Sequence, residues 1–305
     1  MADSHAVPPK PRALVLVVGG TGMLGSQVVD RLIDRGKRVR ALVRPASQTA
    51  HLVDAGVELA PGDLLDPESL RRALDGVDAV VTSAAGYTRH TPGDTIETDR
   101  TGNRNLIDAA AEVGVNRFVL TSILNCHETP NVPHFWAKKL AEDALAERGV
   151  PFVALRPGAF VDQFGMWGGD GFAAGRVAWT GDSTVPLTFV YTPDLADNLA
   201  AAVDADVSPG ERIDIGWDRP LSARELAELA GRILGRDLEL MEIDPAQIRR
   251  PGMSDEARND LLAMFEYFGS GRYVADTRRQ AEVFGSVPAA EDAMRRRLAA
   301  LGHLS

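Results

Sequence analysis

A glycine-rich turn between a short apolar strand and an amphipathic helix most constrains how this chain folds. Leu14–Val18 has the composition of a buried strand, and Leu24–Arg35 carries apolar residues at helical spacing. Three glycines of the turn lie three residues apart, at positions 19, 22 and 25. Such glycines permit a tight turn, close approach of the backbone to a diphosphate, and close packing of helix on strand. The pattern predicts a dinucleotide site rather than a merely structural turn. The predicted contacts are Gly19, Gly20, Thr21, Gly22, Met23, Leu24 and Gly25.

The rest of the N-terminal half repeats this alternation of short apolar strands and amphipathic helices. Continuous apolar strands separated by helices are typical of a parallel sheet covered on both faces. The sequence therefore predicts an α/β fold, a Rossmann-type doubly wound parallel sheet with right-handed crossovers. The further strands and helices predicted here are Arg38–Val43, Glu68–Leu74, Ala79–Ser83, Thr101–Val113, Phe118–Ser122, Ala137–Arg148 and Phe152–Arg156.

The end of the second predicted strand indicates which dinucleotide is bound. In NAD sites an acidic residue roughly 20 residues beyond the turn accepts a hydrogen bond from the ribose 2′-hydroxyl. This chain has Arg44 there, and Ser47 follows it closely. A guanidinium pairs with a 2′-phosphate through charge-assisted hydrogen bonds, and Ser47 can add a hydroxyl donor. The pattern favours NADP(H), against an interpretation of Arg44 as a solvated cation at the strand end.

A second candidate cofactor contact follows the third predicted strand. Gly62, Asp63 and Leu64 stand there, at the sheet edge where ligands bind in such folds. The Asp63 carboxylate can accept from an adenine amino group. It can equally serve as a turn or N-cap aspartate, which is a common role. We predict Asp63 and Leu64 as cofactor contacts and leave the turn interpretation open.

The alternation of strands and helices changes after residue 158, where a stretch rich in glycine and aromatic residues begins. We predict residues 1–12 as a flexible tail and 13–158 as the NADP-binding core. Residues 159–305 would form a substrate-binding part, interleaved with the core in one compact unit. Within it, Ser222 and Glu225 have the spacing of a capping box. The predicted elements of this part are Thr188–Val190, Asp194–Val203, Ser222–Leu234, Ser254–Phe268 and Ala289–Leu301.

Composition excludes several other classes of function. The chain has 33 Lys and Arg against 43 Asp and Glu, a net charge of −10, which disfavours binding to nucleic acid or anionic lipid. A single cysteine excludes an intrachain disulfide, and the 6 histidines show no zinc-ligand spacing, so no metal is expected. No apolar run has the length of a signal peptide or a membrane span, so we expect a cytoplasmic protein.

Several motifs, taken in order, resemble the short-chain dehydrogenase/reductase superfamily, and within it the atypical or extended, NmrA-like NAD(P)H-binding group. The resemblance extends from Ala13 to about Tyr273. The residues that carry it are the glycine turn, Arg44, Gly62-Asp63-Leu64, Ser83-Ala84-Ala85-Gly86 and Arg156-Pro157-Gly158. It implies an NADP(H)-binding Rossmann fold. It also implies further cofactor contacts at Ser83, Ala84, Ala85, Pro157 and Gly158.

The active site implied by this resemblance contains a departure. The superfamily usually has Ser or Thr after the fifth strand and Tyr-x-x-x-Lys on the next helix. Ser122 and Lys138 match the first and last of these, but His134 stands where the tyrosine is usual. We predict Ser122, Lys138 and His134 as catalytic, with Lys138 also contacting the cofactor. Two alternatives stay open: His134 as a surface or helix-start histidine, and Lys138 as a solvated helix lysine.

Their expected roles differ. Ser122 would hydrogen-bond a substrate carbonyl, Lys138 would add positive charge near a developing alkoxide, and His134 would supply a proton. Tyr87 and His90, after the fourth strand, are other candidate donors near the cleft mouth. The remaining notable positions are Asp99, where the superfamily often has Asn, and Cys126, which we interpret as a small buried thiol.

Aromatic residues are predicted around the carboxyl edge of the sheet. Glycines surround Trp167, which suggests a mobile lid over an apolar ligand, although core packing is an alternative for the group. The predicted substrate contacts are Tyr87, Phe160, Phe164, Trp167, Met264 and Phe268.

Together these features predict an NADPH-dependent reductase. We expect a ketoreductase that transfers hydride to a carbonyl or quinone of an apolar aromatic molecule, as in the tailoring of an antibiotic or other natural product. The resemblance leaves two alternatives: a non-enzymatic NADP(H)-binding redox sensor of the NmrA type, and an epimerase or dehydratase. The missing tyrosine suits the sensor and weakens the epimerase. The oligomeric state stays open.

Overall fold

A seven-stranded parallel sheet forms the centre of the molecule. This computed structural model describes residues 13–87, 93, 95–166, 169–249 and 251–304, so the predicted tail and the candidates His90 and Trp167 lie outside the described residues. The strands are β1 (Leu14–Val18), β2 (Arg38–Val43), β3 (Glu58–Pro61), β4 (Ala79–Thr82), β5 (Arg117–Thr121), β6 (Phe152–Pro157), β7 (Ala159–Phe160), β8 (Arg176–Thr180), β9 (Phe189–Val190), β10 (Glu211–Ile215) and β11 (Glu239–Ile243). The main sheet has the order β10-β6-β5-β4-β1-β2-β3.

Helices cover both faces of this sheet, which confirms the predicted doubly wound α/β fold. None of the helices in the described ranges is long and apolar enough to cross a membrane. The α-helices are α1 (Met23–Asp34), α2 (Ala50–Asp54), α3 (Pro67–Leu74), α4 (Asn103–Val113), α5 (Pro133–Glu147), α6 (Gly171–Ala174), α7 (Thr192–Ala201), α8 (Ala223–Leu234), α9 (Asp255–Gly269), α10 (Arg278–Phe284) and α11 (Ala290–Ala300).

The alternation of side chains along β1 explains why its sequence is apolar throughout. Val15 and Val17 belong to the core layer shared with α1 and α7. Leu14 and Leu16 belong to the opposite layer, shared with α3, α4 and α5. Successive residues of a strand point to opposite faces, so a strand buried on both faces needs apolar residues at every position.

Residues 159–304 contribute to the main sheet as well as packing beside it. β10 pairs with β6 at the sheet edge, and α7 packs on α1. A third core cluster, formed mainly by this part of the chain, includes Phe164, Phe172 and Trp217. The predicted capping box of α8 is confirmed, because Ser222 Oγ accepts from Glu225 N and the Glu225 carboxylate accepts from Ser222 N at 2.7 Å.

Two helix boundaries near the site differ from the predictions. α5 begins at Pro133, four residues before the predicted start at Ala137. Proline suits the first turn of a helix because its φ is already fixed and its missing N–H is not needed there. Before α4, Thr95–Gly102 forms a π-helical segment, and the helix predicted from Thr101 overlaps it by only two residues. π-helical turns are rare in proteins, and those that occur are often found at functional sites.

Candidate active site

The glycine turn is tight, and its backbone atoms lie close to one another. Gly19 has φ of +93°, a conformation that favours glycine, and its carbonyl accepts from Gly22 N at 3.0 Å. A Cβ on Gly25 would lie 2.0 Å from Gly19 O, so no larger residue fits there. Within the described residues, no side chain caps the first turn of α1. Its free N–H groups and the helix dipole therefore suit a diphosphate.

Arg44 and Ser47 form a small turn at the same edge of the sheet, immediately after β2. Ser47 N donates to Arg44 O at 3.0 Å, and Ser47 Oγ accepts from Arg44 N at 3.2 Å. Ser47 thus shapes the loop, while the Arg44 side chain is exposed. The guanidinium has no ion pair with any side chain in the described ranges, so it is free to bind an external anion.

Asp63 stabilises the turn after β3. Its Oδ1 accepts from Leu65 N at 2.9 Å, and its own N–H donates to Ser69 Oγ at 3.0 Å. Leu64 is buried, and its carbonyl accepts from Asn105 Nδ2 at 2.9 Å. These bonds fit the turn interpretation of Asp63. They leave Oδ2 available at the sheet edge, so a contact with adenine remains a prediction.

Lys138 connects α5 to the loop after β4, which lies beside the glycine turn. It is only 4% exposed, which excludes the interpretation of a solvated helix lysine. Its Nζ donates to Ala84 O at 3.2 Å, in the loop after β4. A Cβ on Gly19 would lie 2.8 Å from Ser83 Oγ and 3.1 Å from Ala84 N, so the same loop abuts the glycine turn. Burial lowers the pKa of the Lys138 ammonium, and the charge of Asp99 opposes this effect.

Asp99 lies in the π-helical segment and binds the backbone of the loop after β4. It is 1% exposed, and its two oxygens accept from Gly86 N at 2.9 Å and Tyr87 N at 3.0 Å. Burial raises the pKa of this carboxyl, while Lys138 and the two amides favour its charged form. The position noted for its departure from Asn therefore fixes the loop on which Lys138 rests.

His134 lies in the interior, where it is 1% exposed, so it is not a surface histidine. The other half of that alternative is confirmed, because His134 is the second residue of α5. Its Nδ1 is 2.6 Å from Asp260 Oδ1, and its backbone N donates to Asp260 Oδ2 at 3.2 Å. The ring stacks on Tyr87 with centroids 4.2 Å apart and an interplanar angle of 21°. Burial, with the charges of Asp99 and Asp260, raises the pKa of the Tyr87 hydroxyl to about 12.

Asp260 is a site residue that the sequence reasoning missed. It belongs to α9, 126 residues beyond His134 in the chain. The available signal was its place on a helix face: Met264, Tyr267 and Phe268 follow at spacings of four, seven and eight residues. A carboxylate on an otherwise apolar face indicates a buried partner.

Ser122 needs a correction, because its hydroxyl donates to Glu142 Oε1 at 2.6 Å rather than facing open space. Glu142 is fully buried and also accepts from Arg156 at 2.6 Å and Arg212 at 2.7 Å. The proton that Ser122 would offer a substrate carbonyl is already committed to this network. Cys126 lies beside it, and its interpretation as a buried thiol is confirmed.

The predicted substrate residues differ in burial: one belongs to the core, and the others are partly buried. Phe164 is a core residue and not a substrate contact, because its ring is 4% exposed and packs against Phe172 and Trp179. Met264 and Phe268 are partly buried on α9, and Phe160 is partly buried against the core layer of α1. The aromatic wall beside His134 consists of Phe135, Tyr267, Phe268 and Tyr273.

Pro157 and Gly158 have packing roles where cofactor contacts were predicted. Pro157 O accepts from Leu124 N at 3.0 Å. A Cβ on Gly158 would lie 2.3 Å from Thr188 O. The close backbone approach that requires this glycine is therefore with the chain leading into β9.

Comparison with known proteins places the chain among relatives of several kinds. The photosystem II assembly factor Ycf39 of Synechocystis sp. is 32% identical over 283 residues, 90% of this chain and 86% of that protein. An NAD(P)H azoreductase of Xenophilus azovorans is 30% identical over 266 residues, 82% of this chain and 87% of that enzyme. The structure of Citrobacter sp. triphenylmethane reductase complexed with NADP(H) has a TM-score of 0.77 at 21% identity, covering 93% of this chain and 99% of that one. That likeness concerns the fold. Residues 11–290 match the NmrA-like family, and the chain therefore belongs to the NmrA-like family.

Proposed function

We propose that this chain is an NADPH-dependent reductase that transfers hydride to a carbonyl or quinone of an apolar aromatic molecule. One observation carries the proposal. The glycine turn, the loop after β4 and the buried Lys138 form a continuous series of contacts, through Ala84. A dinucleotide on the turn would extend along that loop toward Lys138 and His134.

The residues present fit NADP(H). Backbone N–H groups at the start of α1 would bind the diphosphate, and Arg44 would pair with the 2′-phosphate. Lys138 would reach the ribose next to the reacting ring. The bound cofactor supplies the hydride. The Xenophilus relative is named as an NAD(P)H enzyme, and the Citrobacter neighbour was crystallised with NADP(H), which supports the same cofactor here.

The protein's own part in the reaction is electrostatic and proton-donating. Reduction of a ketone forms a C–H bond to the carbonyl carbon, and the π electron pair moves to the oxygen, which then takes a proton. The Lys138 ammonium stabilises the developing negative charge. His134, in its imidazolium form, is placed to deliver the proton from its Nε2, because Nδ1 is occupied by Asp260.

The substrate class follows from the wall beside His134. Tyr267 and Phe268 are only partly buried there, and Phe268 packs on the buried Tyr273 behind it, with ring centroids 4.7 Å apart. Flat apolar rings pack well on such surfaces. A triphenylmethane dye, named for the Citrobacter enzyme, has this character. Ketoreduction of an aromatic natural product is the finer form of the proposal.

A second candidate function is a non-enzymatic NADP(H)-binding regulator or assembly factor. The observation that favours it is the 32% identity with an assembly factor over 90% of this chain. Such a protein would bind cofactor and change its affinity for a partner without turnover. The buried Lys138 and the His134–Asp260 pair favour the enzyme, because a binding module has no use for a proton donor.

The test measures NADPH binding and NADPH consumption on one sample of purified protein. The acceptors are a panel of naphthoquinones, anthraquinones and polycyclic aromatic ketones. The reductase proposal expects saturable turnover with at least one acceptor. Tight NADPH binding without turnover on every acceptor would overturn it in favour of the regulator.

A further inference from the structure

We infer that Asp260 is a positioning residue that fixes the ring orientation and the tautomer of His134, so that Nε2 is the nitrogen that takes up a proton and, from the imidazolium form, delivers it to the substrate. The inference rests on the proposed function. Asp260 touches neither cofactor nor substrate in this scheme, and it acts through His134.

Asp260 contacts His134 at two positions, the ring and the backbone amide. One carboxylate oxygen lies 2.6 Å from the ring Nδ1, and the other accepts from the backbone N–H of the same residue at 3.2 Å. A carboxylate that already accepts from a main-chain amide is aligned as an acceptor for the ring nitrogen too. Nδ1 is therefore the donor of that bond, and in the neutral ring Nε2 carries the free lone pair, which takes a proton from solvent to give the imidazolium that acts as the acid.

Aromatic neighbours complete the restraint on the ring. Tyr87 stacks on one face at 4.2 Å, and Phe135 meets the ring edge-on at 4.8 Å and 84°. A flip of the imidazole would break the bond to Asp260 and leave a buried carboxylate without its ring partner, which is costly. The charged and titratable groups that contact this ring or interact with its charge are Asp260, Tyr87 and Asp99.

The placement of Asp260 within α9 argues that the pairing is specific. Among the fifteen residues of the helix, Asp260 alone is buried, at 6% exposure. The apolar residues of the same helix, such as Leu261, Met264 and Phe268, are only partly buried. Helix burial is ordinarily driven by apolar side chains. Here the innermost side chain is a carboxylate, and it lies on the candidate proton donor.

A structural role alone is the competing explanation. Val132 cannot cap α5 with its side chain, so Asp260 also satisfies an amide in the first turn of that helix. Removing a cap would lower the stability of the protein. Loss of a cap alone would not lower kcat while leaving KM unchanged, and it would not change which ring nitrogen of His134 is protonated.

The first test compares Asp260→Asn with Asp255→Asn, a matched change at an exposed position of the same helix. Asn keeps the size of the side chain and an oxygen for the backbone amide, but its NH₂ can donate to Nδ1 and invert the tautomer. We expect kcat to fall about 100-fold in Asp260→Asn, with KM and the NADPH Kd within about threefold of wild type. The Asp255 variant should keep the wild-type kcat. A wild-type kcat in folded Asp260→Asn would overturn the inference.

The second test needs no variant and no substrate. Nitrogen-15 NMR of the wild-type protein reports the protonation of each ring nitrogen of His134. We expect the neutral ring to carry its proton on Nδ1, whereas a proton on Nε2 would overturn the inference even if Asp260→Asn fails to fold. Because this signature does not depend on turnover, failure of the proposed reductase and failure of the Asp260 role give separate results.

Discussion

At the scale of single residues, two adjacent lysines show how position determines chemistry. Lys138 is buried, contacts Ala84 O and experiences the charge of Asp99. Lys139 is partly exposed, pairs with Asp143 one turn later and lies 5.6 Å above the Trp136 ring. A buried ammonium is costly unless it is paired or used. Lys138 is therefore the lysine that we assign to the reaction.

Replacing Lys138 by Met should lower kcat by about 100-fold, because the developing negative charge loses its nearest cation. NADPH should also bind more weakly, since the ribose contact is lost. Steady-state kinetics and calorimetric titration of the same preparation measure both effects. Lys139→Met is the control and should stay within about twofold of wild type; equal losses in both variants would contradict the assignment.

Replacing Arg44 by Ala should weaken NADPH binding about 10- to 100-fold and leave NADH binding nearly unchanged. The reason is the loss of charge-assisted hydrogen bonds to a 2′-phosphate that NADH lacks. Fluorescence titration with both nucleotides measures the ratio. Arg38→Ala provides the control, since Arg38 is exposed at the opposite end of β2. A parallel loss for NADH would refute the specificity.

The buried Glu142 should make stability depend on pH. Burial raises the pKa of this carboxyl, but hydrogen bonds and charge from Arg156, with help from Ser122 and Arg212, outweigh burial and hold the pKa below its usual 4.5. A carboxyl with a depressed pKa stabilises the folded state above the unfolded-state pKa, and this contribution is lost as the pH falls through the folded-state pKa.

Glu142→Gln should therefore lower the free energy of unfolding by about 3 kcal/mol at pH 7, because a buried charge partner is removed. The difference from wild type should shrink as the pH falls below about 4.5. Urea unfolding at several pH values measures it, with the exposed Glu147→Gln on the same helix as control. A difference that stays constant down to acid pH would argue against the charged network.

At the scale of elements, the turn between β1 and α1 and the start of α5 organise the site. The turn was predicted from the sequence, because glycine spacing is a local signal, whereas the predicted start of α5 lay four residues too late. The π-helical segment and the short helices α2 and α10 were not predicted, because their local patterns resemble ordinary loops. Ser122 was misplaced for a related reason: its motif position is local, but its partner Glu142 lies 20 residues away.

Gly25→Ala should damage the turn, and Gly20→Ala should be tolerated. A Cβ at Gly25 would lie 2.0 Å from Gly19 O, whereas one at Gly20 would meet ordinary contacts at 3.5 Å. We expect Gly25→Ala to cost about 2 kcal/mol in urea unfolding and to weaken NADPH binding more than tenfold. Similar stability and binding for the two variants would contradict the role given to this glycine.

At the scale of the whole molecule, the candidate site is assembled from distant parts of the chain. Gly19, Ala84 and Lys138 belong to the N-terminal residues, whereas Asp260 and the aromatic wall come largely from α9. The sheet and its cofactor edge followed from short-range patterns. The contact between His134 and Asp260 did not, because it depends on how α9 packs across α5. Under the proposed function, α9 would hold the candidate proton donor through Asp260 and contribute Tyr267 and Phe268 to the aromatic wall.

The measurement that tests the central claim most directly is hydride transfer from labelled cofactor. NADPH carrying deuterium at both C4 positions is incubated with the protein and a polycyclic aromatic ketone that supports NADPH consumption, and the product is analysed by mass spectrometry. The account predicts one deuterium at the carbinol carbon, with product formation about 100-fold slower in Lys138→Met. The account would be contradicted if the protein binds NADPH tightly, yet forms no deuterated product from any ketone and oxidises no NADPH with any quinone.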